Sequence, residues 1–342
     1  MHERQSILII YTGGTIGMSL DPETGNLIPV NFAEISKQLP ELKRFDLDIK
    51  AVSFSPPVDS SEITPDMWIR LATAIGNHYD DFDGFVILHG TDTMAYSASA
   101  LSFLLENLDK PVIFTGSQLP IGMLRTDGKE NLITSIEIAA GKINNSPAVP
   151  EVCIFFQNKL FRGNRTTKYS VDYFNAFRSD NYPLLAETGI NIEYNYHAIN
   201  YPYGDKKLKI YNSLDNNIAV LKIFPGITNK LLRSTFNTDG LRAVIIETYG
   251  AGNAPTASWF LSEIKAAVKR DIIVLNVSQC AAGSVDMNKY NTGRRLLEAG
   301  VLSGSDITTE AAITKTMFLL AQYNANKEIR TFINNSLRGE IK

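Results

Sequence analysis

The sequence predicts an α/β protein made of two doubly wound α/β domains. Short apolar runs rich in Val, Ile and Phe recur along the chain without alternating with polar residues, and segments with helical spacing lie between many of them. Non-alternating strands interleaved with helices are typical of a parallel sheet that is covered on both faces. We therefore expect a larger N-terminal domain with a parallel-rich sheet and a lid hairpin, and a smaller C-terminal domain with a parallel sheet.

The strands and helices can be assigned in chain order. The predicted strands are Ser6–Tyr11, Phe85–His89, Val112–Thr115, Val152–Phe156, Ile218–Phe224, Ala243–Thr248 and Ile272–Val277. The predicted helices are Pro65–Asn77, Tyr96–Leu108, Asn131–Gly141, Ala257–Arg270 and Thr309–Gln322. The helix that begins at Pro65 has the clearest start, because Thr64 can cap it and proline is favoured at the first helical position.

Two irregular segments interrupt this pattern. The turn-forming residues Asp21–Asn26 separate two short extended pieces and predict a hairpin, which is either a lid over a site or an ordinary surface hairpin. Residues 191–217 are polar and rich in tyrosine, without a helical period. The domain prediction is therefore an N-terminal catalytic domain at 1–190, a linker at 191–217 and a C-terminal domain at 218–342.

Composition and charge exclude several classes of protein. The net charge of −3 over 342 residues offers no basic surface for nucleic acid. No apolar run is long enough for a signal peptide or a membrane span. Four histidines without ligand-like spacing argue against a metal site, and Cys153 and Cys280, beside apolar runs, are expected to be buried free thiols. We expect a cytoplasmic, metal-free protein with no membrane partner.

The candidate functional residues lie in loops that follow predicted strands, where doubly wound sheets bind their ligands. These loops are Thr12–Gly17, Val58–Glu62, His89–Thr93, Thr115–Gln118 and Arg162–Lys168. The sequence TGGTIG lacks the spacing of a dinucleotide-binding loop, and no phosphate-binding loop motif or nucleophile elbow is present.

A hydroxyl nucleophile is the sharper hypothesis for these loops. Threonine becomes reactive only when a base removes its proton, and Asp92, which adjoins Thr91, together with Lys168 could provide such a base. Taken singly, each residue has an ordinary explanation, because a strand-end threonine is commonly a helix cap and a loop lysine commonly lies on the surface.

Six segments, in this order, resemble the bacterial L-asparaginases, and most closely their cytoplasmic type I branch. They are Tyr11–Met18, Asp59–Trp68, Gly84–Phe103, Gly116–Pro120, Arg162–Lys168 and Tyr249–Pro255. The pair TGGTI and HGTDTM is highly specific, and the resemblance covers essentially the whole chain. It implies hydrolysis of the side-chain amide of L-asparagine to L-aspartate and ammonia, with no metal and no cofactor.

The resemblance also implies roles for individual residues. Thr15 would be the nucleophile that forms an acyl-enzyme, and Thr91, Asp92 and Lys168 would relay protons and activate water. Backbone N–H groups around Thr91 would stabilise the oxyanion. Asp59, Ser60, Ser61, Thr91 and Asp92 would line the substrate pocket. A homotetramer, arranged as a dimer of dimers, is implied as well, with Asn253 of a neighbouring subunit as a candidate contributor.

Two positions depart from the family pattern. Leu27 occupies the lid position where relatives often have a tyrosine, so no lid catalyst is assigned. Some type I relatives are activated by asparagine at a separate site, which would correspond to Thr167, Glu247, Ser278 and Cys280. Arginine is expected at the position of Glu247, and an acidic residue there would repel a ligand carboxylate, so allosteric activation is not predicted.

Two other functions fit parts of the sequence. One is the asparaginase-like subunit of a tRNA-dependent amidotransferase, which would carry an extra N-terminal module, whereas the TGGTI motif here begins at Thr12. The other is a non-catalytic amino-acid sensor, which is disfavoured because Thr15, Thr91, Asp92 and Lys168 are all present.

Overall fold

The computed structural model describes residues 4–20, 27–29, 32–202, 204 and 206–342. The chain forms two compact units, Met1–Asn212 and Ser213–Lys342. No helix among the described residues is long and apolar enough to cross a membrane. The turn Asp21–Asn26, which was predicted to form the tip of a lid, lies outside the described residues.

The α-helices include all five that were predicted. In chain order they are α1 (Phe32–Lys37), α2 (Pro65–Asn77), α3 (Met94–Leu104), α4 (Gly128–Ala140), α5 (Asn229–Phe236), α6 (Ser258–Lys269), α7 (Asn291–Glu298), α8 (Thr309–Gln322) and α9 (Asn326–Ile333). The largest boundary difference is at α3, which ends at Leu104 because the next residues form a short strand.

The strands of the first unit follow the same chain order. They are β1 (Ser6–Tyr11), β2 (Met18–Leu20), β3 (Leu27–Pro29), β4 (Asp48–Ser53), β5 (Gly84–Leu88), β6 (Leu105–Glu106), β7 (Val112–Thr115), β8 (Lys142–Ile143), β9 (Ser146–Pro147), β10 (Val152–Phe156), β11 (Lys159–Arg162), β12 (Thr167–Lys168), β13 (Phe177–Arg178), β14 (Ala186–Thr188), β15 (Ile192–Tyr194) and β16 (Lys209–Ile210). Strands β2 and β3 pair as the antiparallel hairpin that the sequence predicted.

Eight strands of the first unit form one sheet in the order β15-β14-β11-β10-β7-β5-β1-β4. The five strands from β4 to β10 are mutually parallel, and β11, β14 and β15 extend the sheet in antiparallel fashion. All residues of β5, β7 and β10 are buried, since both faces of this part of the sheet are covered.

The chain order reverses at β1, because β4 lies on one side of this strand and β5 on the other. Beyond the last β1 residue, the N–H and Oγ1 of Thr12 both donate to the carbonyl of Leu88, at 3.0 and 2.9 Å. The carboxyl ends of β1 and β5 are thereby tied together. A reversal of this kind opens a crevice that is the usual ligand site of such sheets.

The second unit contains a separate parallel sheet of four strands. Its strands are β17 (Ile218–Lys222), β18 (Ala243–Thr248), β19 (Ile273–Ser278) and β20 (Leu302–Ser303), which lie side by side in chain order. Within α8, the buried Lys315 pairs with Glu340 at 2.6 Å and so attaches the C-terminal segment to this helix. The predicted α/β class, with a larger parallel-rich sheet and a smaller parallel sheet, is confirmed.

The segment 191–217, predicted as a linker, is largely part of the first unit. Strand β15 pairs with β14 at the edge of the large sheet, and β16 pairs with β6. The two units separate between Asn212 and Ser213. Short strands at a polar sheet edge carry little apolar periodicity, which is why the sequence pattern placed the boundary earlier.

Candidate active site

The loops that follow β1, β4 and β5 touch one another at their backbones. A Cβ atom on Gly13 would lie 2.1 Å from the carbonyl oxygen of Val58, and one on Gly14 would lie 2.4 Å from the amide nitrogen of Gly90. A Cβ atom on Gly90 would lie 2.5 Å from Oγ of Ser60. Only glycine permits these approaches, so the glycines bring three predicted strand-end loops into one place.

Thr15 is half-buried and begins a short 3-10 helix, Thr15–Gly17, directly after these glycines. The turn is closed by a hydrogen bond from the Gly17 N–H to the Gly14 carbonyl at 3.0 Å. Below it, the hydroxyl of the fully buried Tyr11 donates to the Gly17 carbonyl at 3.0 Å. Burial raises the pKa of Tyr11 to about 12, so this hydroxyl stays a donor at neutral pH.

Thr91, Asp92 and Lys168 form a hydrogen-bonded cluster at the tip of β5. The Lys168 ammonium donates to Oγ1 of Thr91 at 2.8 Å and to Oδ1 of Asp92 at 2.7 Å. Thr91 is buried and the Lys168 side chain is 14% exposed, whereas that of Asp92 is 63% exposed. Lys168 is therefore shielded from solvent, while the second carboxylate oxygen of Asp92 remains accessible to a ligand cation.

Lys168 is presented by a short segment with a rigid base. The 3-10 turn Gly163–Arg165 leads from β11 into β12, and in β12 Lys168 pairs with Phe177 of β13. At the end of β11 the buried Arg162 forms a bidentate ion pair with Glu151, at 2.6 and 3.0 Å. Bidentate charge-assisted bonds restrict the geometry of the groups that they join, and this pair fixes the start of the Lys168 segment.

His89 supports the turn before Thr91 and does not act as a base. Trp68 donates to Oγ of Ser97 at 2.8 Å, Ser97 donates to Nε2 of His89 at 2.9 Å, and Nδ1 of His89 donates to the Gly90 carbonyl at 2.7 Å. This series of hydrogen bonds requires the His89 tautomer that carries its proton on Nδ1. Burial lowers the pKa of His89 to about 4, so the ring is neutral at pH 7.

The three predicted pocket residues after β4 differ in exposure. Ser60 is buried against Gly90, and its carbonyl accepts a hydrogen bond from the Thr93 hydroxyl at 2.6 Å. Asp59 and Ser61 are exposed, and Oδ1 of Asp59 accepts from both the N–H and the hydroxyl of Ser61, at 2.8 Å each. Asp59 thus acts as the cap of the turn that presents Ser60.

Gln118 is a site residue that sequence reasoning did not single out. It lies in a loop that was recognised as a strand end, after β7, but it was given no role. Its Oε1 accepts a hydrogen bond from Oγ1 of Thr91 at 3.3 Å. A glutamine in a loop does not by itself indicate a catalytic role, so only the position of Gln118 beside Thr91 could have identified it.

The residues predicted in the second unit lie near the carboxyl ends of its strands. Oε1 of Glu247 accepts from Thr309 at 2.8 Å, and its Oε2 lies 3.7 Å from the Lys222 ammonium. The hydroxyl of Ser278 accepts from the Cys280 N–H at 3.0 Å. Cys280 is exposed, so its expected burial is wrong, whereas Cys153 is buried.

The remaining predicted residues have local structural partners. Asn253 pairs with Tyr249 through the backbone, and its Oδ1 accepts from Thr292 at 2.6 Å. Thr167 lies in β12 of the first unit, opposite Arg178. The side chain of Leu27 lies outside the described residues. Within the described part of the chain, no three His, Cys, Asp or Glu side chains are grouped so that they could hold a metal ion.

Comparison with protein families matches both units. Residues 6–200 match the family model described as asparaginase, N-terminal, and residues 217–333 match the one described as glutaminase/asparaginase C-terminal domain. L-asparaginase 1 of Escherichia coli strain K12 is 45% identical over 99% of this chain and 98% of its own length.

Two solved structures extend this likeness to the fold. L-asparaginase I from Vibrio cholerae superimposes with a TM-score of 0.89 at 42% identity, covering 99% of this chain and 100% of its own. The thermostable L-asparaginase from Thermococcus kodakarensis gives a TM-score of 0.90 at 31% identity, covering 99% of each chain. The likeness therefore extends over both units and is not confined to the loops around Thr15 and Thr91.

Proposed function

The chain belongs to the asparaginase family, and we propose that it hydrolyses the side-chain amide of L-asparagine to L-aspartate and ammonia (EC 3.5.1.1). The observation that carries this proposal is the shielded Lys168 ammonium bonded to Thr91 and Asp92, at a strand tip that touches the loop of Thr15. A lysine held between a hydroxyl and a carboxylate is suited to exchange protons with that hydroxyl.

In the first half of the proposed reaction, Oγ1 of Thr15 attacks the carboxamide carbon of asparagine. The Thr15 proton passes to the amide nitrogen, the C–N bond breaks, and ammonia leaves behind an ester between Thr15 and the aspartyl group. The developing oxyanion is stabilised by backbone N–H groups near Thr91. One such donor, aimed at the oxyanion, typically contributes roughly 3–4 kcal/mol to the barrier reduction.

In the second half, water attacks the ester carbon and releases aspartate. The water gives up its proton through the hydroxyl of Thr91 to a neutral Lys168. Lys168 then returns this proton to Oγ1 of Thr15 as the C–O bond breaks, so that Lys168 is neutral and Thr15 a hydroxyl at the end of the cycle. Asp92 keeps the Lys168 ammonium directed at Thr91, as their 2.7 Å contact supports. The exchange needs no cofactor, because every proton moves between groups of the site and the reactants.

Substrate recognition follows from the charges of a free amino acid. The exposed oxygen of Asp92 pairs with the α-ammonium group of asparagine, and Ser60 with the neighbouring backbone binds the α-carboxylate. Asp59 and Ser61 complete this side of the pocket by holding its turn. A site that satisfies both charged groups rejects analogues that lack one of them, because its own polar groups would remain unpaired.

We also propose a homotetramer in which Asn253 of a neighbouring subunit completes each site. The assembly follows the asparaginase family, and the half-buried Asn253 is held in place by Thr292, which would suit a contact residue. Sedimentation at micromolar concentration should give a mass of four chains. The cytoplasmic location that the type I resemblance implies stays a prediction.

Ammonia release from L-asparagine is the direct test of the proposed activity. We expect Thr15→Ala to lower kcat on the order of 10⁴-fold and Lys168→Met by roughly 10²–10⁴-fold. Thr73→Ala and Lys265→Met remove the same residue types from exposed helical positions and should retain the wild-type rate. A folded wild-type protein that released no ammonia at millimolar asparagine would refute the proposal.

A further inference from the structure

Gln118 is hydrogen-bonded to both sides of the cluster that carries the proposed proton relay. Its side-chain Oε1 accepts from Oγ1 of Thr91 at 3.3 Å. Its Nε2 donates to the carbonyls of Val171 and Tyr173, at 3.0 and 3.1 Å. Those carbonyls belong to the segment that follows Lys168 in the chain. The side-chain amide of Gln118 therefore contacts the Thr91 hydroxyl directly, and it contacts the segment after Lys168 through the backbone carbonyls of that segment.

The orientation of this amide follows from its partners. Two carbonyl oxygens can only accept hydrogen bonds, so the NH2 group of Gln118 must face Val171 and Tyr173. With the amide turned this way, Oε1 faces Thr91 and can only accept. The Thr91 hydroxyl consequently has one defined arrangement: its proton points to Gln118, and a lone pair faces the Lys168 ammonium, which donates at 2.8 Å.

The backbone of Gln118 is also held firmly. Its N–H donates to both carboxylate oxygens of Asp127, at 3.0 Å each, and the N–H of Leu119 donates to the same carboxylate at 3.2 Å. Asn131 donates to Asp127 at 3.2 Å and to the Gly116 carbonyl at 2.9 Å. These bonds tie the loop after β7 to the start of α4, so Gln118 presents its amide from a fixed position.

We propose that Gln118 is a positioning residue: whenever Lys168 is charged, Oε1 of Gln118 accepts a hydrogen bond from the Thr91 hydroxyl and so keeps this hydroxyl aligned with Lys168 between relay steps. This inference rests on the proposed amide hydrolysis. When Lys168 is neutral, the Thr91 proton turns toward it. When Lys168 has taken up that proton, the ammonium donates back to Oγ1, and the proton that Thr91 received from water points to Gln118. No proton moves onto Gln118 at any stage.

The competing role for Gln118 is purely structural. Its two bonds to the carbonyls of Val171 and Tyr173 could serve only to anchor the segment after β12. Two substitutions separate these roles, because each keeps one half of the amide. Gln118→Glu keeps the acceptor for Thr91 and loses the donors to the segment. Gln118→Lys keeps a donor to the segment and loses the acceptor.

The experiment compares ammonia release by the wild type, Gln118→Glu and Gln118→Lys across a series of asparagine concentrations, with urea unfolding of each protein as the folding control. We expect Gln118→Lys to lower kcat by about 10-fold with little change in KM, the effect of one hydrogen bond lost in the transition state. Gln118→Glu should lower kcat by a smaller factor than Gln118→Lys does, because it keeps an acceptor for the Thr91 hydroxyl.

The reverse order, with Gln118→Lys close to the wild type and Gln118→Glu impaired, would show an anchoring role and overturn the proposal. Equal kcat values for all three proteins would overturn it as well. A wild-type protein that folds but releases no ammonia would instead refute the proposed hydrolysis, and the role of Gln118 with it.

Discussion

Replacing Gly14 by alanine tests whether the close contact between the tips of β1 and β5 builds the site. Gly14 has φ 90° and ψ 172°, a conformation that is essentially restricted to glycine. The added Cβ would lie 2.4 Å from the amide nitrogen of Gly90 and 2.5 Å from its Cα. Both atoms belong to the backbone, so no side chain can rotate away and the two tips must separate.

The cost of Gly14→Ala has two parts. A residue held in this region of φ and ψ costs about 1–3 kcal/mol, and overpacking at a close contact costs about 1–3 kcal/mol more. The expected loss of unfolding free energy is therefore about 2–6 kcal/mol, against a typical total of about 5–15 kcal/mol. Ordinary van der Waals contact requires the tips to move apart by about 1 Å, a misplacement that can cost roughly 10²-fold in rate.

Urea unfolding and ammonia release from asparagine provide the two measurements. Gly226→Ala is the matched control, because Gly226 also has a positive φ, of 99°, but a Cβ there would meet nothing within 4 Å. Gly226→Ala should lose only the part of the unfolding free energy that comes from the unfavourable φ, and it should keep the wild-type kcat/KM. If Gly14→Ala kept the wild-type kcat/KM and lost no more stability than Gly226→Ala, the contact between the tips would have no role in forming the site.

Two further predictions concern pH and regulation. The pKa of His89 is about 4 in the folded protein, against an ordinary value of 6.5. Between these two values the unfolded state binds more protons than the folded state. The free energy of unfolding should therefore fall by about 3 kcal/mol as the pH drops through this window. His89→Gln should remove this pH dependence from the free energy of unfolding, and His197→Gln, at an exposed position, should keep it. The same change of unfolding free energy with pH in the wild type and both variants would contradict the role given to His89. Because Glu247 stands at the position where an activated relative is expected to have arginine, the rate should depend hyperbolically on asparagine. A sigmoidal curve that is abolished by substitution of Thr167 or Cys280 would contradict this prediction.

Much of the fold could be predicted because buried parallel strands leave a strong signal. The apolar runs that became β1, β5, β7 and β10 are fully buried or nearly so. Strand β4 escaped prediction, since it lies at the sheet edge, none of its residues is buried, and half of them are polar. The antiparallel extension from β11 to β15 was missed for a related reason, because its short strands depend on pairing partners more than on their own sequence.

The sequence by itself determined which residues could react: two threonines after buried strands, the aspartate beside one of them and a loop lysine. Residue types and their positions at strand ends are local properties, and they are visible in the chain. The tertiary structure decided which of these groups meet. Lys168 reaches Thr91 and Asp92 across 76 residues or more of chain, and Gln118 reaches Thr91 across 27. Such contacts arise from the strand order and from glycine-mediated backbone approach, which no local sequence pattern encodes.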